Sequence, residues 1–268
     1  MTGSSTTPET SVEHDTVPAQ RSSAERSALE RARTGLSAVR EATERLHGAV
    51  SGLDDRQIVA PSKLPGWTRA HVVTHLARNA DALVNLLTWA RTGIEHPMYH
   101  SRTDRDADIE EGAQRLAQVI REDLLAACAR LDDYAARLTG ADWRAMIAHR
   151  TGRTFPAGEV PWMRLFEVWV HLVDLNTGVE FEDIPPGHLE LLLESAVYPH
   201  AVRAEGDPVR VRFDLADGRQ RTWDIRVAVA ASSSEEISGP APAMVAWLTG
   251  RGSGTGLTGN LPDLAAWG

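Results

Sequence analysis

The sequence predicts an α+β protein in two parts, a four-helix bundle over about residues 24–184 and a small α+β domain over residues 185–268. Three observations carry this. Before residue 180, long stretches repeat apolar residues at helical spacing, the pattern of a bundle. The stretch from Val160 to Leu175, VPWMRLFEVWVHLVDL, is apolar on all sides but one, which marks a helix buried among others. After Pro185-Pro186 the period changes to alternation in two short runs separated by a turn.

The elements follow in order. Residues 1 to about 23 are rich in Ser, Thr and Pro and poor in large apolar side chains, which predicts a flexible tail. From Ala24 to about Val50, Leu29, Leu36, Val39, Leu46 and Val50 fall near helical spacing. Residues 60–67, APSKLPGW, form a loop broken twice by proline. The second helix runs from about Thr68, as its N-cap, to about Arg91, with Gly93 as its stop. Its apolar face is Val72, Leu76, Leu83 and Leu86; His75 and Asn79 lie on or beside that face, whereas His71 leans toward the polar side.

A loop over residues 97–105 leads to a third helix from about Asp108 to Leu138. A long irregular stretch then reaches the apolar helix, which has Pro161 near its start and Gly178 just past its end. In the second part, His188–His200 reads as a helix. Val209–Leu215 and Trp223–Val229 form a β-hairpin turned at residues 216–219, and Ala241–Leu248 is a final helix.

Composition narrows the function. A formal charge of −9 over 268 residues argues against nucleic acid and anionic membranes as partners. No apolar run approaches the ~20 residues of a membrane span, and no secretory signal is visible, so the reading is cytoplasmic. Cys128 is the only cysteine, which excludes an intrachain disulfide and a thiolate-rich zinc site. Nucleophile elbow, phosphate loop and dinucleotide fingerprint are all missing.

The chemistry sits in the apolar helix. Arg164, Glu167, His171 and Asp174 fall at i, i+3, i+7 and i+10, a single polar stripe. Burying such groups is costly unless they are paired or hold a metal. Glu167 and His171, one turn apart, can reach one ion from the same face. His75, among apolar neighbours on a helix facing the same core, is the best third ligand, and three ligands leave an open position for catalysis. Asp174 fits a partner that orients His171. The same residues also fit hydrogen-bonded core groups, and His71 with His75 forms a rival pair. By spacing, Arg105 and Arg251 read as surface arginines in loops, where anion recognition is an option; Cys128 reads as core filler and residues 150–153 as a solvated loop.

These residues resemble a family. The segment from Leu64 to Leu83, LPGWTRAHVVTHLARNADAL, is similar to the metal-binding segment of mycothiol-dependent maleylpyruvate isomerases. So are Met98-Tyr-His-Ser101 with Arg105, the run from Asp108 to Gly112, and Glu167 with His171 and Asp174. Residues 239–251, GPAPAMVAWLTGR, resemble the family's C-terminal signature, and the likeness covers about residues 24–267. The resemblance implies a DinB-like four-helix bundle followed by a sterol-carrier-like α+β domain. It implies zinc or another divalent metal on His75, Glu167 and His171, mycothiol as cofactor, and a small anionic or electrophilic substrate. Arg105 and Arg251 are the arginines it offers for catalysis, and Arg105 with Asn79 for cofactor contact.

The reaction implied is a cis–trans isomerisation of maleylpyruvate by thiolate addition, bond rotation and elimination. The alternative is a mycothiol S-transferase acting in detoxification or secondary metabolism. A non-catalytic ligand carrier or metal-stabilised scaffold is disfavoured, because a structural zinc site closes with four ligands.

Overall fold

The computed structural model describes residues 16–149, 152–203, 205–227 and 236–264. The bundle is built from α1 (Thr16–Ser51), α3 (Arg69–Thr92), α5 (Ala117–Ala135) and α7 (Val160–Asp174), with short helices α2 (Asp55–Ile58), α4 (Arg102–Ala113) and α6 (Gly140–Arg144) between them. Helix α3 is central, packing on α5, α7 and α4, while α1 covers α7 and α6. Leu46, Leu76, Leu83, Leu86, Leu124 and Trp169 are sealed in the shared core.

Three expectations are corrected here. Residues 1–15 of the expected tail lie outside the described residues, but helix α1 already begins at Thr16. Pro18 stands in its first turn, where proline costs no intrahelical hydrogen bond. The single third helix expected over 108–138 is two helices, and the first starts earlier, at Arg102, where Ser101 Oγ accepts from the Asp104 N–H at 3.0 Å. The break at residues 114–116 is held from outside: Asp55 Oδ1 accepts the Ala117 N–H at 2.8 Å, capping α5. The stretch before α7 is not irregular. It holds α6 and an antiparallel pair, β1 (Met146–Ala148) and β2 (Thr154–Pro156). Residues 150 and 151 lie outside the described residues.

The ends of α3 match expectation. Thr68 is its N-cap, and Gly93 closes it in the left-handed region at φ 70°. Gly112 matters differently: a Cβ there would lie 2.5 Å from Thr74 Cγ2, so α4 packs closely on α3 only without a side chain. Thr74 precedes His75 and is buried. Gly112→Ala should therefore cost about 1–3 kcal/mol by overpacking. Thr74→Ala in the same chain should restore part of that loss; chemical denaturation of the two variants checks it.

The C-terminal part contains α8 (Pro186–Ala201), β3 (Asp207–Asp214), β4 (Gln220–Val227), β5 (Glu236–Pro240) and α9 (Ala241–Leu248). The hairpin is present, with Val209 opposite Ile225 and Val211 opposite Trp223. Val229, the expected end of its second strand, lies outside the described residues. Sequence reading missed β5, which pairs in parallel with β3 and makes the strand order β4-β3-β5. Val209, Val211, Phe213, Ile225 and Ile237 face a core closed by α8 and α9. Helix α8 also packs on α7, where Trp169 Nε1 donates to His188 Nδ1 at 3.2 Å, and so joins the two parts.

Candidate metal centre and cleft

Helix α7 carries the stripe and α3 faces it. Their register is pinned by Arg69 at the start of α3, whose Nε and Nη2 donate to the carbonyls of Leu175 and Asn176 at 2.7 and 2.6 Å. His75 on α3 thereby meets Glu167 and His171 on α7. His75 Nε2 donates to Glu167 Oε2 at 3.0 Å, and His171 Nε2 lies 3.4 Å from the same oxygen. One ligand atom from each residue lies within 4.8 Å of the others. Bonds of about 2.1 Å in tetrahedral geometry place neighbouring ligand atoms about 3.4 Å apart, so two imidazoles and a carboxylate at these distances suit a divalent ion. Both histidines are buried, and Glu167 retains a quarter of its side-chain exposure, toward the cleft.

The charges are arranged in series. His171 Nδ1 donates to Asp174 Oδ2 at 2.9 Å, which leaves Nε2 for the cluster. Asp174 is fully buried and also accepts from Arg251 Nε and Nη2 at 3.1 and 2.9 Å. Burial opposes ionisation of Glu167, yet hydrogen bonds from His171 and His75 hold its carboxyl well below the ordinary carboxylate range. Burial likewise lowers His75, to about 4. His171 moves the other way: burial pulls it down, but Asp174 and Glu167 outweigh that and raise it above 6.5. A metal ion must displace the His171 proton. Metal affinity should therefore fall about tenfold per pH unit once the pH drops below the raised value, and uptake above it should release no such proton. Calorimetry of zinc uptake in buffers of different ionisation enthalpy, at two pH values, counts that proton.

The cluster opens into a cleft of about 1910 Å³ lined by both parts of the chain. Arg105 and Arg251 both reach it, but neither sits as expected. Arg105 is not in a loop; it stands in the first turns of α4. Its Nη2 donates to His75 Nδ1 at 3.2 Å, its Nη1 pairs with Asp106 at 2.7 Å, and it lies over the Tyr99 ring. Arg251 is not a surface arginine. Its side chain is 8% exposed and its fork grips Asp174, so it reaches His171 through that carboxylate.

The structure does not bring Asn79 to the cleft. Asn79 is buried and its Oδ1 accepts from Arg164 Nη1 at 2.8 Å. Arg164, the first residue of the stripe, turns into the bundle and also donates to the Leu76 carbonyl and Cys128 Sγ. His71 is committed elsewhere, Nδ1 to Thr68 and Nε2 to Glu110. Trp67 escaped sequence reading; its ring packs on both His71 and His75, and the only hint was its place in the Leu64–Trp67 run.

Fold and site together define a helical bundle with a two-histidine, one-glutamate cluster of metal-ligating type and an appended α+β part. The family described as mycothiol maleylpyruvate isomerase N-terminal domain matches residues 39–176. The crystal structure of a mycothiol-dependent maleylpyruvate isomerase is similar over 88% of this chain and 96% of that one, at 30% identity and a TM-score of 0.76. A histidine-to-alanine mutant of a mycothiol-dependent maleylpyruvate isomerase gives the same values. The chain belongs to the mycothiol-dependent maleylpyruvate isomerase family. A protein of Geobacillus thermodenitrificans (strain NG80-2), provisionally named a metal-dependent hydrolase, is 41% identical over 59 residues. That match spans 22% of this chain and about a third of the length of that relative. Among the described residues, no helix is long and apolar enough to cross a membrane.

Proposed function

We propose that this protein is a zinc- and mycothiol-dependent cis–trans isomerase of the maleylpyruvate type. The observation that carries it is the convergence of His75, Glu167 and His171 at the floor of a cleft that Arg105 and Arg251 also line. When bound, zinc and thiol supply the Lewis acid and the nucleophile for an addition, bond rotation and elimination that returns the thiol.

The protein's own residues do the rest. Asp174 fixes the His171 tautomer, and Arg251 fixes Asp174. Arg105 can only donate, so its contact requires a bare Nδ1 on His75. Were His75 to hold the metal through Nε2, its proton would sit on Nδ1 and the Arg105 Nη2 contact would be given up. Its Nη2 would then be available to stabilise negative charge developing on a substrate oxygen, while Nη1 stays on Asp106.

The size of the cleft favours keeping the second reading, a mycothiol S-transferase. Pockets for small ligands commonly measure about 300–1,000 Å³, and this one leaves room for a larger acceptor. Incubation with mycothiol and maleylpyruvate, followed by mass spectrometry, separates the two. Isomerase action yields fumarylpyruvate with the thiol pool unchanged. A stable thiol adduct with loss of free mycothiol identifies the transferase, and no mycothiol-dependent change in maleylpyruvate rejects the isomerase.

A further inference from the structure

Most arginines lining the cleft are committed to carboxylates. Arg31 pairs with Glu159, Arg221 with Glu190, Arg105 with Asp106, and Arg251 with Asp174. Arg153 and Arg203 are different. Both line the cleft, and neither forms an ion pair among the described residues. Arg153 follows the β1–β2 turn, and its guanidinium carbon lies 5.0 Å from the centre of the Phe155 ring and 4.5 Å from that of Tyr198. Stacking occupies the faces of a guanidinium and leaves its in-plane N–H fork available for an anion. Tyr198 belongs to α8, and Arg203 stands just past the helix, after its C-cap Val202.

A third group stands on the same helix. His200 is 3% exposed, and its Nε2 donates to the Leu248 carbonyl at 2.9 Å. That bond places the ring proton on Nε2, so Nδ1 is a bare acceptor, and it has no partner among the described residues. Burial and the Arg203 charge both lower its pKa, which keeps the ring neutral. A buried acceptor left unmatched is costly and marks a place where a hydrogen-bond donor belongs.

We propose that Arg153 and Arg203 form a second anion-binding point on the α8 wall of the cleft, which takes the acid group of the substrate remote from the reacting double bond. His200 Nδ1 accepts a hydrogen bond from a water or hydroxyl that accompanies that group. The assignment rests on the reading of the protein as an enzyme acting on a small diacid. It makes Arg153 and Arg203 specificity-determining residues, separate from the groups around the metal cluster. An anion is the ligand class because two guanidinium groups without an ion pair among the described residues line one cleft of a chain whose net charge is −9.

The test is binding of maleate, fumarate and the monoanion acetate to the zinc-loaded full chain by calorimetry, in wild type and in Arg153→Gln/Arg203→Gln. The double variant should bind both dianions at least about tenfold more weakly, with acetate binding, zinc content and thermal midpoint unchanged. Arg153→Lys/Arg203→Lys, which keeps the charges, should recover part of the affinity. With maleylpyruvate, KM should rise by a similar factor while kcat stays within about twofold. Equal dianion affinity in wild type and the glutamine variant overturns the proposal, as does failure of wild type to bind either dianion. Dianion binding that depends on the two arginines without any isomerisation of maleylpyruvate retains the anion point and rejects the assigned reaction instead.

Discussion

Replacing His75 with alanine should strip the protein of stoichiometric metal and reduce mycothiol-dependent turnover by more than about a hundredfold, since even outer-shell changes cost 10–100-fold. His75 is the member of the cluster that α3 supplies, so without it Glu167 and His171 offer one ion a two-point grip from α7 alone. The helix should persist. Its register is held by Arg69 on Leu175 and Asn176, and its buried face by Val72, Leu76 and Leu83. Elemental analysis and circular dichroism on the same sample separate the outcomes. Metal loss with native helicity is expected; full zinc occupancy in His75→Ala would remove His75 from the cluster.

The second large effect is at Asp174. This carboxylate is fully buried, receives His171 and both prongs of Arg251, and joins the C-terminal part to a metal-ligand candidate. Truncation to alanine removes one partner of the buried Asp174–Arg251 pair, a change that costs about 3–5 kcal/mol. It also frees the His171 ring, which should weaken zinc binding by about 10–100-fold. The pH dependence has a definite sign. Burial opposes its ionisation, but His171 and Arg251 hold the Asp174 carboxyl below its ordinary 3.8. Its stabilisation is therefore complete above that value and lost as the pH falls through the lower folded value. The stability gap between wild type and Asp174→Ala should be full at neutral pH and close only in strong acid. Urea titrations of the metal-free proteins at pH 7 and pH 3 measure it; a gap below about 1 kcal/mol at pH 7 would show the linkage to be weak.

The parts of the fold that were legible in the sequence are those set by local spacing. The boundaries of α3 follow from Thr68, its apolar repeat and Gly93. Glu167 and His171 are one helical turn apart, and His75 could be added because its neighbours on α3 are apolar. What stayed hidden depends on distant chain. The α4–α5 break is held by Asp55, 62 residues away, and Arg251 meets Asp174 across 77 residues. The start of α4 escaped because the helix buries only Ile109, Gly112 and Ala113, although its Ser101 cap was visible in principle. Strand β5 escaped because Glu-Ile-Ser-Gly-Pro carries one large apolar residue and pairs with β3 through a crossover. The family resemblance offers Asn79 for cofactor contact, but Arg164 holds it inside the bundle.

The central claim is that His75, Glu167 and His171 together hold one metal ion at the floor of the cleft. Anomalous diffraction at the zinc edge, on crystals of the zinc-loaded protein, tests it most directly. The account predicts a single strong peak with nitrogen of both histidines and oxygen of Glu167 at about 2.0–2.2 Å, and no fourth protein ligand. A peak bound by other residues, or one closed by a fourth side chain of the protein, would contradict it.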